Sequence, residues 1–129
     1  MANQFVVELK NVPGGLASLA EALAARGIDL RAIGGGGIGD TGHIIMTTAD
    51  DDAAREVLRS GGYTFIEGES ILTEVDDRPG GMARLSRALA DAGVNIYGHL
   101  FLGRWGDRAM FAFVVDDPDK ARPILERKA

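Results

Sequence analysis

Two segments of the chain alternate apolar and polar residues in the way that is typical of a β-strand with one buried face. Phe5, Val7 and Leu9 alternate with Glu8, and residues 71–75 show the same period. Each segment is followed by Pro-Gly-Gly and then by apolar residues three and four positions apart, which is the spacing of an amphipathic helix. Both segments therefore predict a strand, a glycine turn and a helix.

The similarity of these segments extends into an internal repeat. Pro-Gly-Gly begins at Pro13 and again at Pro79, a shift of 66 residues. The same shift brings Gly27 onto Gly93, and both glycines stand where a helix is expected to end. The agreement continues through most of each half, so we interpret the chain as two copies of one unit.

The remaining elements follow the same order in both copies. After the glycine come a strand, a hairpin turn and a further strand, and the aspartates at 50–51 and 116–117 begin a second helix. Residues 63–67 predict a fourth strand in the first copy. This order is that of the ferredoxin-like fold, an α+β unit with an antiparallel sheet. We therefore predict two tandem ferredoxin-like domains, at 1–68 and 69–129.

The second copy is predicted to lack its last strand, because the repeat carries Tyr63 onto Ala129. Pro123 falls at the position of Val57, which predicts a kinked or late-starting last helix. Without a fourth strand, the strand at 70–75 lies at a sheet edge with unpaired N–H and C=O groups. Residues 63–67 of the same chain, a strand of a second chain, or the same edge of a second chain around a two-fold axis can cover such an edge. Since the last two give a homodimer, we expect a homodimer.

Composition and charge exclude several classes of function. The 129 residues include 14 Lys and Arg against 19 Asp and Glu, and the net charge of -5 repels nucleic acid. The absence of cysteine removes disulfides, thiol nucleophiles and thiolate zinc sites. We expect neither a membrane-spanning segment nor an export signal, and we expect the protein in the cytoplasm.

The other candidate motifs predict no chemistry. Gly34, Gly36 and Gly39 have the spacing of a dinucleotide-binding fingerprint, but a turn and a strand are predicted where the fingerprint requires a helix. His43 and His99 fall at unrelated positions of the repeat, and no Ser or Thr has partners suited to nucleophilic catalysis. We therefore predict no catalytic residue, no metal site and no cofactor.

The sequence Asn-Val-Pro-Gly-Gly-Leu at 11–16, followed by Gly-Ile-Asp-Leu at 27–30, resembles the ACT domain, a small amino-acid-sensing module. The second copy is similar, with Asp-Arg-Pro-Gly-Gly-Met at 77–82 and Gly-Val-Asn-Ile at 93–96. The resemblance implies a free-standing tandem ACT protein that binds a small amino acid or related metabolite noncovalently. It implies a non-enzymatic protein that signals through oligomerisation or a protein partner. The implied ligand-binding residues are Asn11, Pro13, Gly14, Gly15, Leu16 and Asp29 in the first copy, and Asp77, Arg78, Pro79, Gly80, Gly81, Met82 and Asn95 in the second.

The resemblance places the effector against the loop between the first strand and the first helix. Glycines allow close approach of a ligand, and N–H groups at a helix start can receive its carboxylate. Side-chain oxygens of Asn11 and Asp29, or of Asp77 and Asn95, are then expected to hold its ammonium group. A histidine that some serine-binding members carry two residues before the asparagine is absent from both copies, so serine is not the expected ligand.

Two alternatives remain open, and the copies are not expected to be equivalent. The same polar residues suit turns and helix caps, as in a ligand-free structural or oligomerisation module. A small enzyme on the same scaffold is a further alternative, because fold does not determine chemistry. Near the corresponding region the second copy carries Tyr97, His99, Phe101 and Trp105, and these rings favour the second copy for a large apolar amino acid.

Overall fold

The computed structural model describes residues 3–126. It divides the chain into two compact units, one ending at Gly68 and the other beginning at Glu69. The strands and helices are, in chain order, β1 (Asn3–Lys10), α1 (Gly15–Ala25), β2 (Leu30–Ile38), β3 (Thr41–Thr48), α2 (Asp51–Ser60), β4 (Phe65–Glu69), β5 (Ile71–Asp76), α3 (Gly81–Asp91), β6 (Ile96–Trp105), β7 (Arg108–Val115) and α4 (Pro118–Leu125). No helix among these residues is long and apolar enough to cross a membrane.

The first unit has one four-stranded sheet in the order β2-β3-β1-β4. β3 is antiparallel to both β1 and β2, and Phe5 lies opposite Met46. These two side chains share a core with Leu19 and Leu23 of α1 and with Leu58 of α2. Both helices therefore pack on the same face of the sheet, as the apolar spacing of α1 predicts.

The second unit has a three-stranded antiparallel sheet in the order β5-β7-β6. Its core joins Ile71 and Phe113 of the sheet to Leu89 of α3 and Leu125 of α4. Within residues 3–126, no strand takes the position that β4 has in the first unit. Two ferredoxin-like units, the second without a last strand, are thus confirmed as the fold.

The repeat shift is not constant along the chain. β6 has ten residues where β2 has nine, and its pairing with β7 slips between Phe101 and Gly103. Leu102 is the extra residue of this β-bulge. The copies therefore align with a shift of 66 residues before Leu102 and 67 after it.

The bulge corrects the predicted alignment of the second helices. The superposition of residues 50–51 on 116–117 is wrong by one residue, because the true partners are Asp50 and Asp117. Each of these carboxylates accepts a hydrogen bond of 3.1 Å from the N–H group three residues later and caps its helix.

The position assigned to Pro123 is also corrected. With a shift of 67 it corresponds to Glu56, not to Val57. The helix α4 begins at Pro118, so it does not start late, and it continues through Pro123 to Leu125. A proline removes one helical hydrogen bond, whereas burial of Leu125 favours keeping the last turn in the core.

The fourth strand begins at Phe65, two residues later than predicted from Tyr63. An ion pair holds β4 to α2, because Arg55 Nη2 lies 2.6 Å from Glu67 Oε2 and Arg55 Nε donates to Oε1 at 2.7 Å. Asn3 Nδ2 donates to the same carboxylate at 2.7 Å. The hydrogen bonds from Arg55 lower the pKa of Glu67, against the opposing effect of its burial.

Candidate functional site

The Pro-Gly-Gly loop has the same geometry in both units. Gly14 and Gly80 precede α1 and α3 with φ angles of 89° and 90°, a left-handed conformation that other residues rarely adopt. The next glycine allows the helix to start close to the preceding strand. A β-carbon on Gly15 would lie 2.9 Å from the carbonyl oxygen of Lys10, and one on Gly81 would collide with the backbone of Asp76.

A cavity of about 460 Å³ opens beside this loop in the first unit. Its volume falls in the range of small-molecule pockets, ~300–1,000 Å³. Leu16, Ile33 and Ile44 line it, together with the glycines of β2. Lys10 is the charged residue on its lining, and no acidic side chain of the described residues is found there. The cavity is therefore mainly apolar with a polar loop at one end.

Asn11 forms that polar end. Its Nδ2 donates to the carbonyl of Gly39 at 2.9 Å, and its backbone N–H donates to the carbonyl of Asp40 at 2.9 Å. A β-carbon on Gly37 would lie 2.7 Å from Asn11 Oδ1, so only glycine leaves room for the amide. The hairpin thus fixes Asn11 and leaves Oδ1 as an acceptor at the cavity.

A second cavity of about 600 Å³ lies on another side of the same loop. It is bounded by Pro13 and Gly14 of the loop and by residues 61–64, which connect α2 to β4. The loop between β1 and α1 therefore borders two open spaces in the first unit.

The N-terminus of α1 has no side-chain cap, since its N-cap residue is Gly14; of the first-turn groups, the N–H of Gly15 donates to the carbonyl of Val12 at 3.2 Å. The positive end of the helix is therefore available to an anionic group of a ligand.

Asp29 is not close to Asn11 within the unit. Asp29 precedes β2, where Leu30 pairs with Thr48, whereas Asn11 lies beyond the other end of β2. Nine residues of strand separate the two sites, which corresponds to roughly 25 Å. Asp29 pairs instead with Arg31, at 3.5 Å between Oδ2 and Nε.

The equivalent pair of the second unit is separated in the same way. The backbone N–H of Asn95 donates to Asp116 Oδ1 at 2.9 Å, at the start of β6. Asp77 lies beside the hairpin at the far end of that strand, where its own N–H donates to the carbonyl of Asp107 at 2.8 Å.

The loop of the second unit is charged where that of the first is neutral. Arg104 Nε donates to Asp77 Oδ2 at 2.8 Å. Arg78 Nη2 lies 3.2 Å from Asp76 Oδ2, and Arg108 pairs with the same carboxylate. The predicted ligand groups of this loop therefore already have partners within the protein.

The other predicted residues of this loop are Pro79, Gly80, Gly81 and Met82. Gly80 and Gly81 shape the turn, and Met82 in the first turn of α3 has 36% of its surface exposed. The second copy thus repeats the backbone of the site with different surroundings.

Several residues at the site were not predicted from the sequence. Ile33, Gly35, Gly37 and Ile44 line the cavity of the first unit, and Arg104 pairs with the loop of the second. The hairpin turns of the two copies carry the signal, because Gly39-Asp40 matches Gly106-Asp107 only with a repeat shift of 67 residues. The same shift aligns Gly37 with Arg104.

The glycine run of β2 has no helix after it. Ile38 pairs with Thr41 across a two-residue turn at Gly39 and Asp40, and β3 follows directly. The structural context of a dinucleotide fingerprint is therefore missing. Among residues 3–126, no cluster of three or more side chains is suited to bind a metal ion.

Comparison with known proteins finds a family model and several solved structures that resemble this chain. Residues 4–59 match the family model of the ACT domain. A protein from Bacteroides thetaiotaomicron superposes with a TM-score of 0.71, over 97% of this chain and 86% of its own, at 23% identity. The comparison with curated proteins gave no match.

Two regulatory subunits of aspartate kinase have a similar fold. The ligand-free form from Thermus thermophilus superposes with a TM-score of 0.63 over 97% of this chain and 87% of its own, at 22% identity. The subunit from Thermus flavus gives 0.64 over 97% and 88%, at 21% identity. The ACT domain model thus covers most of the first unit, and the second unit repeats the fold of the first without its last strand.

Proposed function

We propose that this protein is a non-catalytic regulatory module that binds an aliphatic amino acid noncovalently in its first unit. The observation that carries the proposal is the apolar cavity that ends at Asn11 and is lined by Leu16 from the uncapped first turn of α1. An aliphatic amino acid matches this cavity, because its ammonium and carboxylate suit the polar end and its side chain suits the apolar lining.

The polar groups of the cavity suit the two charges of the ligand. The N–H groups of Leu16 and Ala17, in the first turn of α1 at the positive end of the helix, receive the carboxylate. Asn11 Oδ1 accepts a hydrogen bond from the ammonium, because Nδ2 of the same amide is already bound to Gly39. The proposed site therefore consists of residues 11–16 and the facing part of β2.

The lining favours an aliphatic side chain of the ligand. Leu16, Ile33 and Ile44 offer apolar contact, and Ile33 and Leu16 are half-exposed without a ligand. A cationic side chain would find no carboxylate there among the described residues. Leucine, isoleucine and valine are therefore the preferred ligands, ahead of lysine and arginine.

Signalling through assembly or a partner, in the cytoplasm, completes the proposal. Binding beside β2 orders an edge strand of the sheet, and an ordered edge is a surface on which another chain can pair. The similar fold of two aspartate kinase regulatory subunits supports a regulatory role.

Isothermal titration calorimetry with the twenty common amino acids tests the proposal. Leucine, isoleucine or valine is expected to give saturable binding, and Gly37→Ala is expected to weaken it about tenfold or more by displacing Asn11. Ile38→Ala is the matched control, because Ile38 lies on the same strand, is 90% exposed and does not line the cavity. If no amino acid binds and the oligomeric state is unchanged by all of them, the ligand-free structural alternative is supported instead.

A further inference from the structure

We propose that the second unit is a self-occupied copy of the ligand site, in which Arg104 and Phe101 stand where the first unit receives its ligand. The inference rests on the function proposed above. It adds that each chain binds one amino acid, in the first unit only.

Strand pairing identifies the positions that correspond. Gly35 lies opposite Ile44 in the first unit, and Phe101 lies opposite Phe111 in the second. Both pairs occupy the same place in the repeat. A phenylalanine ring in the second unit therefore takes the position of a glycine on the wall of the first unit's cavity.

The next position along the same face shows a second replacement. Gly37 lies opposite Gly42, and Arg104 lies opposite Ala109, which is the same place in the repeat after the bulge at Leu102. In the first unit this position makes room for Asn11. In the second unit it supplies a guanidinium group.

The two side chains of the second unit form one arrangement with the loop. Arg104 Nε donates to Asp77 Oδ2 at 2.8 Å, and Arg104 Cζ lies 4.7 Å from the centroid of the Phe101 ring. Phe101 packs against Phe111 with ring centroids 5.5 Å apart. A cation at the loop and an apolar group on the sheet are the features that an aliphatic amino acid would bring to the first unit.

The loop residues agree with this assignment. Asp77 faces a permanent cation, so a carboxylate is the matching group. Asn11 is the corresponding residue of the first unit, where its amide donates to the carbonyl of Gly39 and not to a charged group. A neutral amide suits the ammonium of a zwitterionic ligand. The second copy has a carboxylate at this position because Arg104 of the chain supplies the cation. The first copy has an amide because the cation arrives with the ligand.

Titration calorimetry of the full chain with L-leucine tests the inference. The wild type is expected to bind one leucine per chain. In the double variant Phe101→Gly, Arg104→Gly, the second unit receives the residues of the first at both positions, and the stoichiometry is expected to rise to two. Tyr97→Gly is the matched control on the same strand, since Tyr97 is half-exposed and lies outside the arrangement; its stoichiometry stays at one.

Circular dichroism and thermal unfolding will show whether the Phe101→Gly, Arg104→Gly variant folds. If it does not fold, a reciprocal variant of the first unit tests the inference. Asn11→Asp combined with Gly37→Arg builds the same ion pair into the first unit. Leucine binding is expected to fall by about tenfold or more while the unfolding temperature is retained.

The outcomes separate the inference from the function on which it rests. Two leucines bound per wild-type chain, or a folded Phe101→Gly, Arg104→Gly variant that still binds one, would overturn the inference and leave the proposed function standing. Undiminished binding to a folded Asn11→Asp, Gly37→Arg variant would do the same. Failure of every amino acid to bind the wild type would remove the proposed function itself.

Discussion

Asn11 and Gly37 show how the site depends on a single contact between residues far apart in the sequence. The amide of Asn11 lies where a side chain at position 37 would begin, and the hairpin carbonyl of Gly39 holds it there. The motif at 11–16 identifies Asn11 as a candidate from the sequence alone. The requirement for glycine at position 37 becomes visible only when β1 and β2 are brought together on either side of β3.

Asn11→Ala is expected to weaken amino acid binding without unfolding the protein. The variant removes the acceptor for the ligand's ammonium, and loss of a hydrogen bond to a charged group costs about 1.5–3 kcal/mol. This corresponds to an increase of about tenfold or more in Kd, measured by calorimetry. An unchanged Kd would show that Asn11 serves only the hairpin.

Glu67→Gln is expected to destabilise the first unit in a manner that depends on pH. The pKa of Glu67 is lowered in the folded state, so its contribution is complete above its unfolded pKa of about 4.3 and is lost as the pH falls through the folded value. In urea unfolding, the difference between wild type and variant should be constant near neutral pH and shrink below about pH 4.5.

Glu56→Gln serves as the control for that series. Glu56 also pairs with an arginine, at 3.1 Å from Arg26, but its side chain is 70% exposed. Exposed ion pairs contribute little to stability, so this variant should unfold close to wild type at every pH. Equal effects of the two variants would contradict the role assigned to Glu67.

The elements of the fold follow from local patterns, whereas their alignment does not. The alternation along β1 and β5, the helical spacing after each glycine turn, and Gly27 and Gly93 at the helix ends all predict the observed order. The bulge residue Leu102 is apolar like several of its neighbours, but Gly103 follows it with a φ of 147°, and a glycine within a strand often marks a bulge. The constant shift of 66 residues overlooks this and places the cap of α4 one residue too early.

Asp117→Ala is expected to destabilise the second unit by about 0.5–2 kcal/mol, because it removes the N-cap of α4. Asp119→Ala is the comparison, since Asp119 lies in the first turn of the same helix and is 95% exposed. Its effect should be only a few tenths of a kcal/mol. Urea unfolding of both variants measures the difference, and equal losses would argue against the corrected alignment.

At the scale of the whole molecule, the repeat predicts two units of one fold, while their division of roles depends on side chains. The aromatic residues of β6 favoured the second copy as the site for a large apolar ligand when only the sequence was considered. In the structure, Phe101 packs on Phe111 and beneath the Arg104 guanidinium, whereas Trp105 lines a small opening with Met110. Sequence spacing could not distinguish the two cases, because both place an aromatic residue near the loop.

Homodimer formation is a prediction at the same scale. β5 lies at the edge of the three-stranded sheet and β2 at an edge of the other, and residues 32–37 of β2 carry no charged side chain to oppose pairing. Light scattering coupled to size exclusion should give about twice the chain mass of 13.6 kDa at micromolar concentration. A mass that stays at one chain throughout a dilution series would contradict it.

The most direct test of the central claim is a ¹H–¹⁵N correlation spectrum recorded during titration with L-leucine. The account predicts that the amide signals of Asn11, residues 14–17 and the glycines 35–37 shift in a saturable way. The signals of residues 80–83 and of Phe101 should remain in place. Shifts centred on the second unit, or a spectrum unchanged by leucine, isoleucine and valine, would contradict the claim that the first unit is the amino acid site.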